Sequence, residues 1–198
     1  MTPLKVGLTG GIGSGKTTVA NLFSEFGIPI YIADLEAKKL MVTSKVLIRQ
    51  LKQLLGEEVY VKGELNRQFV ASKIFKDEVL LKKINAIVHP KVARHFKRWF
   101  VKQKAPYVIS ESALIFENNT QDNYDIVISV IANKDIRIAR VVSRDTSNRE
   151  KVEAIMSHQT TDEIKKEKSD FVIINDEISK TKEIVKKIHN SLLKVSEK

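Results

Sequence analysis

The sequence predicts an α/β fold: a parallel five-stranded sheet flanked by helices, interrupted by one helical insertion and a second helical excursion. Three observations carry this. A glycine-rich segment, Gly10-Gly11-Ile12-Gly13-Ser14-Gly15-Lys16-Thr17-Thr18, stands between a short apolar run and an amphipathic helix. Strand, helix and strand succeed one another within the first 32 residues, and such a βαβ opening requires a parallel sheet covered by helices. Three further apolar runs, at 107–110, 125–130 and 171–174, the last two separated by a helical segment, bring the strands to five.

Taken in order, residues 4–9 (LKVGLT) form a short apolar run ending in glycines, as a buried parallel strand does. Residues 15–26 (GKTTVANLFSEF) place Val19, Leu22, Phe23 and Phe26 at helical spacing, and Gly27 is suited to close that helix. A second strand is expected over 28–32. Residues 35–104 then read as helix after helix, with turns at Gly56 and Gly63 and a stop at His89-Pro90. Strands follow at 107–110 (YVIS) and 125–130 (DIVISV). Residues 134–166 are polar, helical and rich in both charge signs. A last strand at 171–174 (FVII) precedes a closing amphipathic helix over 178–194. No internal repeat or Ser/Pro/Gly linker divides the chain.

The chain has 198 residues, enough for one domain or one core with an insertion. With no cysteine, disulfide frameworks, thiolate metal sites and cysteine nucleophiles are excluded. A hydrophobic content of 42% and a charged content of 29% exclude a disordered chain. No apolar run approaches the ~20 residues of a membrane span. The opening residues Met1-Thr2-Pro3-Leu4-Lys5 lack the pattern of a signal peptide, so a reducing cytoplasm is the expected location. The net charge is +10, and its distribution is uneven: residues 38–104 hold 17 basic and 5 acidic residues, a local balance of +12. Such a segment suits nucleic acid, an anionic membrane surface or a small polyanion such as a nucleotide, unless it is a set of solvated lysine-rich helix faces. Its aromatic residues Phe69, Phe75, Phe96, Trp99 and Phe100 fall at helical spacings and read as core rather than as base-stacking platforms. Neither nucleic acid nor membrane is the expected partner.

Residues 10–17 satisfy G-x-x-x-x-G-K-[ST], the phosphate-binding loop of the P-loop NTPase fold. Glycines let the backbone turn successive N–H groups inward as a nest for anionic oxygens. The helix that opens inside the motif adds its unpaired N–H groups and the positive end of its dipole. Lys16 supplies a point charge for the β- and γ-phosphates, and the Thr17 hydroxyl suits Mg2+. Gly11, Ile12, Gly13, Ser14, Gly15, Lys16, Thr17 and Thr18 are therefore the expected ATP-binding stretch.

Three kinds of P-loop protein compete. A guanine-reading Asn-Lys-x-Asp is approached by Asn133-Lys134-Asp135-Ile136, but the aspartate comes one position early. No Asp-x-x-Gly switch segment accompanies it, and 198 residues leave little room for a remodelling machine. A small-molecule kinase needs only the loop, a metal, an acceptor pocket and arginines. Asp34 lies just past the second strand, at the sheet edge where ligands bind in open α/β folds. It can align an acceptor hydroxyl as a base or cap the following helix, and spacing alone does not separate the two. Arg140 and Arg144, at i and i+4, either close over transferring phosphate or form an exposed helical pair.

At this point the residues resemble a known family, the dephospho-CoA kinases, over nearly the whole chain. The resemblance runs through residues 6–20, Gly27-Ile28-Pro29, Ala33-Asp34, Leu65-Asn66-Arg67 and Ile84-Asn85-Ala86-Ile87-Val88-His89-Pro90. It continues with Leu114-Ile115-Phe116-Glu117, Arg140, Arg144-Asp145, Gln159, Ser169-Asp170 and Asn175. The phosphate loop is shared by many kinases; the INAIVHP and LIFE blocks, in this order and spacing, are far more specific. The resemblance implies transfer of the γ-phosphate of ATP to the ribose 3′-hydroxyl of dephospho-CoA, the last step of coenzyme A biosynthesis. A nucleoside monophosphate kinase is the nearest alternative, since it shares the layout of core, acceptor insertion and arginine lid.

The resemblance implies Asp34 as catalytic base, with Lys16 and Arg140 also in the catalytic set. Arg140 and Arg144 are implied as lid residues beside ATP, and Asn175 on the adenine side. Arg67, His89 and Glu117 are implied in the acceptor region. Arg67 is expected to be half-buried against an anion. His89 is expected to act mainly as a local cap before Pro90, and Glu117 equally to anchor a turn. Residues 1–34, 105–133 and 161–198 would form the nucleotide-binding core, 35–104 the acceptor-binding insertion and 134–160 the lid. The chain departs from the family pattern at Ile32, where a second acidic residue is usual, and at Glu111-Ser112-Ala113, where Asp-x-Pro is usual. Thr17 replaces the commoner serine and keeps the hydroxyl. Glu111 ends the third predicted strand and could meet Mg2+ through water. A monomer or small homo-oligomer is expected.

Overall fold

Leu4–Thr9 forms β1, whose last four residues are fully buried, and Lys16–Ser24 forms α1. This is the opening of a computed structural model that describes residues 2–74 and 77–197; Met1 and Phe75 lie outside the described residues. The turn into α1 is made by Gly15, left-handed at φ +90°, a conformation that costs a side-chain-bearing residue about 1–2 kcal/mol. Val19, Ala20, Leu22 and Phe23 face inward. Gly27, at φ +76°, closes the turn after α1 by donating its N–H to the Ser24 carbonyl. Strand β2 is shorter than expected, Ile30–Ile32, because Ile28 and Pro29 are spent on the approach: the Pro29 carbonyl accepts from Ile109 N–H at the sheet edge.

The chain divides into two compact units, Met1–Ile32 with Gln103–Lys198, and Ala33–Lys102. The second contains α2 (Ala33–Thr43), α3 (Lys45–Leu55), the two-residue strands β3 (Tyr60–Val61) and β4 (Glu64–Leu65), α4 (Arg67–Ile74) and α5 (Glu78–Phe100). Ser44 caps α3 by accepting from Leu47 N–H, and Asp77 caps α5 by accepting from Leu80 N–H at 2.8 Å. The core is made by Leu47, Leu51, Ile84 and Val88, spaced i, i+4 on their two helices.

Two expectations are corrected in this unit. Residues 35–104 are not helical throughout: the Lys62-Gly63 turn, with both residues at positive φ (51° and 84°), joins β3 and β4 as a hairpin. Two-residue strands are too short for an alternating pattern to show. The hairpin is tied down when Tyr60 donates its hydroxyl to the Met41 carbonyl at 2.5 Å. Nor does the helix stop at His89-Pro90. Pro90 lies inside the 23-residue α5. An internal proline loses one backbone bond and costs about 3 kcal/mol. Apolar packing on both sides of it, Ile84, Ile87 and Val88 before and Val92 after, outweighs that loss. Of the described aromatic residues read as core, only Phe100 is buried. Phe96 and Trp99 are half-buried and stack with centroids 5.9 Å apart, and Phe69 lies under the Lys73 ammonium.

The first unit resumes with β5 (Tyr107–Glu111), β6 (Ile126–Ile131), α6 (Lys134–Asp145), α7 (Arg149–Ser157), α8 (Asp162–Lys168), β7 (Phe171–Ile174) and α9 (Ile178–Ser196). The five long strands form one parallel sheet in the order β2-β5-β1-β6-β7, with Leu8 opposite Glu111 and Ile128 opposite Phe171. β1 is central, so the loop that follows it emerges in the middle of the carboxyl edge. Val6, Leu8, Ile109, Ile128 and Ile173 pack with Val19 and Phe23 of α1 and Val185, Ile188 and Leu192 of α9. Asp170 sets the β6–β7 register by accepting from Val127 N–H at 2.7 Å. A smaller core of Ile138, Val141 and Val152 joins α6 to α7, and Ile12 packs on it.

Candidate active site

The phosphate loop takes its shape from close approach as well as from φ. Gly13 has φ +76°, and a Cβ there would come within 2.4 Å of the Arg137 carbonyl oxygen. A Cβ on Gly15 would lie 2.1 Å from Asn175 Nδ2. Lys16, the first residue of α1, reaches back across the loop and donates to the carbonyls of Gly10 (2.9 Å) and Gly11 (3.3 Å). Thr17 and Thr18 are exposed in the first turn of α1. Among the described residues, Thr9 Oγ1, Ser14 Oγ and Arg140 Nη1 are buried without a hydrogen-bond partner. Burying such a group unpaired costs about 1–3 kcal/mol, so three of them at one loop mark a place prepared for a polar ligand. The free Arg140 nitrogen lies 3.7 Å from where a Gly15 Cβ would stand, at the mouth of the loop.

The loop is held from behind by residues that the motif does not include. Arg137, 7% exposed, donates from Nε to the Ile12 carbonyl (2.9 Å) and from Nη1 to both Asp162 oxygens (3.2 and 3.0 Å). Gln159 Oε1 accepts from Ile12 N–H at 2.8 Å. Asn175 is buried and donates from Nδ2 to the Ser14 carbonyl at 2.8 Å, while its Oδ1 accepts from Thr181 Oγ1 at 3.0 Å. Asn175, expected on the adenine side, thus fastens the loop backbone in this structure. Arg137, Asp162, Lys165 and Thr181 were not singled out from the sequence. The one available signal was that Arg137 stands three residues before Arg140, on the same helix face.

Arg140 and Arg144 diverge. Arg140 is half-buried beside the loop. Arg144 is two-thirds exposed and its guanidinium makes two 2.7 Å bonds to the adjacent Asp145 carboxylate. That pairing raises the Arg144 pKa and lowers that of Asp145. Glu117, in the turn after β5, accepts at Oε1 from Thr160 N–H (2.8 Å) and from the fully buried Lys165 (3.4 Å). Lys165 also donates to the Thr160 carbonyl. Glu117 therefore pins the segment that connects α7 to α8. Glu111 is buried at the carboxyl end of β5, between β1 and β2.

In the helical unit, Asp34 is exposed and is the second residue of α2, immediately beyond β2 in the chain. It lies inside the first turn and not at the cap. Arg67 opens α4, a helix none of whose residues is buried, and is exposed, not half-buried as expected. His89 is exposed in mid-helix, so it caps no helix end.

Among the described residues, no group of three or more His, Asp and Glu could hold a metal by itself. The hydroxyl of Thr17 and the carboxylate of Glu111 nevertheless suit Mg2+ carried on nucleotide phosphates, since that ion takes one or two protein oxygens and keeps its other ligands. No described helix is long and apolar enough to cross a membrane.

The dephospho-CoA kinase family profile matches residues 4–181. The chain is 38% identical over 174 residues to the dephospho-CoA kinase of Bacteroides fragilis, an alignment covering 87% of this chain and 85% of the relative. It is 36% identical over 175 residues to that of Salinibacter ruber, covering 86% and 88%. The protein TT1252 of Thermus thermophilus superposes with a TM-score of 0.89 at 32% identity over 98% of this chain and 99% of its own. The dephospho-CoA kinase of Campylobacter jejuni shares the fold, with a TM-score of 0.71 at 22% identity over 96% and 97%. Together with a loop braced for phosphate at the centre of a parallel sheet, these likenesses place the chain in the dephospho-CoA kinase family, whose members are ATP-dependent kinases of coenzyme A biosynthesis.

Proposed function

We propose that this kinase binds ATP on residues 10–18 and transfers its γ-phosphate to the ribose 3′-hydroxyl of dephospho-CoA, with Asp34 as the base at the acceptor. The observation that carries the reading is the Arg140 nitrogen, buried without a described partner at the mouth of a braced phosphate loop. Lys16 leaves the loop carbonyls to meet the β- and γ-phosphates. Arg140 balances charge that spreads over the equatorial oxygens during transfer. Arg144 exchanges the Asp145 carboxylate for phosphate, both being met by a two-pronged guanidinium. Thr17 and, through water, Glu111 would hold Mg2+, which would neutralise phosphate charge. Arg67 and His89 belong to an acceptor-binding unit that spans 35–104, and Glu117 to the same acceptor region. Residues 134–160 act as the lid, excluding water so that ATP is not hydrolysed. The enzyme is cytoplasmic and acts as a monomer or small homo-oligomer without nucleic acid or membrane.

Asp34 takes the proton of the 3′-hydroxyl as that oxygen attacks the γ-phosphorus, and ADP leaves. The protein's contribution is mostly orientation, which supplies at best ~7–11 kcal/mol. The test is ADP release with ATP·Mg2+ in the presence of dephospho-CoA, a panel of nucleoside monophosphates, or no acceptor. Turnover with dephospho-CoA alone, giving a product of coenzyme A mass, supports the reading. Turnover with a monophosphate would overturn the acceptor assignment while leaving the loop in place.

A further inference from the structure

We propose that Arg137 is a positioning residue of this kinase, one that sets the phosphate loop through Ile12 without touching the nucleotide. Ile12 is the only residue of residues 10–15, apart from Ser14, that is not glycine. It is held in three ways: its N–H by Gln159 (2.8 Å), its carbonyl by Arg137 Nε (2.9 Å), and its side chain by the core of Ile138, Val141 and Val152. Arg137 does this with its charge already matched. Nη1 is bonded to both Asp162 oxygens, and only 9% of the side chain is exposed. A Cβ on Gly11 would come within 2.0 Å of Nη2 and 2.8 Å of the guanidinium carbon, so the guanidinium lies directly against Gly11 and fills the space a side chain there would need.

A loop of glycines loses more conformational entropy on ordering than any other loop. Ordering it before the nucleotide arrives removes that cost from binding. The brace is itself anchored. Thr160, between Gln159 and Asp162, is held at its N–H by Glu117 and at its carbonyl by Lys165. Arg137 and Arg140 stand three apart on α6, so fixing the first to Ile12 aims the second toward Gly15. The α6 end of the lid is thereby set in place at Arg140 before the nucleotide arrives, whereas Arg144, one turn further on and paired with Asp145, is the arginine that must change partners.

This inference rests on residues 10–18 being the ATP site, and Lys16→Ala is the control for that. Arg137→Ala, Arg137→Lys, Asp162→Asn and Lys16→Ala are compared with the parent enzyme by ADP calorimetry and by kinetics with each substrate varied. Arg137→Ala is expected to weaken ADP binding and raise KM for ATP at least tenfold, with KM for dephospho-CoA within twofold of the parent. Arg137→Lys, which reaches Ile12 or Asp162 but not both, should recover part of that loss. Should Arg137→Ala fail to fold, Arg137→Lys and Asp162→Asn carry the test, each expected to raise KM for ATP about threefold or more. Nucleotide binding within twofold of the parent in the Arg137 variants, while Lys16→Ala loses it, overturns the inference. So does an equal rise in both KM values, which would mark a general loosening. Normal behaviour of Lys16→Ala would instead overturn the loop assignment.

Discussion

Two carboxylates of the predicted site make different demands. Asp34 is exposed in the first turn of α2, where its charge contributes at most about 1 kcal/mol to the helix, so its replacement by the isosteric amide tests chiefly chemistry. Asp34→Asn is expected to lower kcat by about 10²–10⁴ with nucleotide affinity unchanged, a split read from single-turnover transfer and ADP titration. Glu117 carries the opposite burden. It is the charge partner of Lys165, which is fully buried, and breaking such a pair costs about 3–5 kcal/mol. Glu117→Ala should therefore lower the urea-unfolding stability by about 3 kcal/mol. The Glu117→Ala, Lys165→Met pair should recover most of it. If the recovered double variant still shows a raised KM for dephospho-CoA, Glu117 also meets the acceptor.

At the scale of elements, the hairpin β3–β4 contains a local conflict. Its two-residue turn needs positive φ at both positions, and Lys62 occupies one of them at φ +51°. Asparagine tolerates that conformation better and Asn-Gly is the favoured pair for such a turn. Lys62→Asn is expected to stabilise the protein by about 0.5–1 kcal/mol, measured as a shift in unfolding midpoint at unchanged m-value. No shift would mean that the hairpin does not take part in the cooperative transition. α5 shows the complementary case, in which packing of Ile84, Val88 and Val92 carries a helix through Pro90 against local preference.

For the whole molecule, stability has a pH dependence that the sheet builds in. Tyr107 opens β5 and bonds through its hydroxyl to His189 Nδ1 of α9 at 2.6 Å, while Phe26 stacks on the His189 ring at 4.4 Å. Burial raises the Tyr107 pKa, so its hydroxyl is the donor, and burial lowers the His189 pKa below its ordinary 6.5. The native state thus prefers neutral His189, and the unfolded chain binds the proton more readily. This stabilisation is complete above about pH 6.5 and is lost as the pH falls through the lower native pKa. The hydrogen bond is worth on the order of 1 kcal/mol. The unfolding midpoint should fall between pH 7.5 and 5, and in His189→Gln it should fall less. Equal slopes in the two proteins would remove His189 from this role.

The sequence by itself determined the phosphate loop, the five parallel strands and the family, because each is written in contiguous residues. Residues 10–17 need only their own glycines, lysine and threonine, and short apolar runs bounded by turns suffice to reveal buried strands. Gln159 and Asn175 were legible as matches to a pattern but not in their work of holding Ile12 and Ser14. Only the tertiary structure decided which arginine of 137, 140 and 144 braces the loop, which stands free at its mouth and which pairs in solvent. It also decided that Lys165 is buried beneath Glu117 and that α5 passes through Pro90. In each case the deciding energy comes from contacts between residues far apart in the chain, such as 12 with 137 and 159, or 117 with 165. A local reading of propensity, spacing and charge contains no term for such contacts.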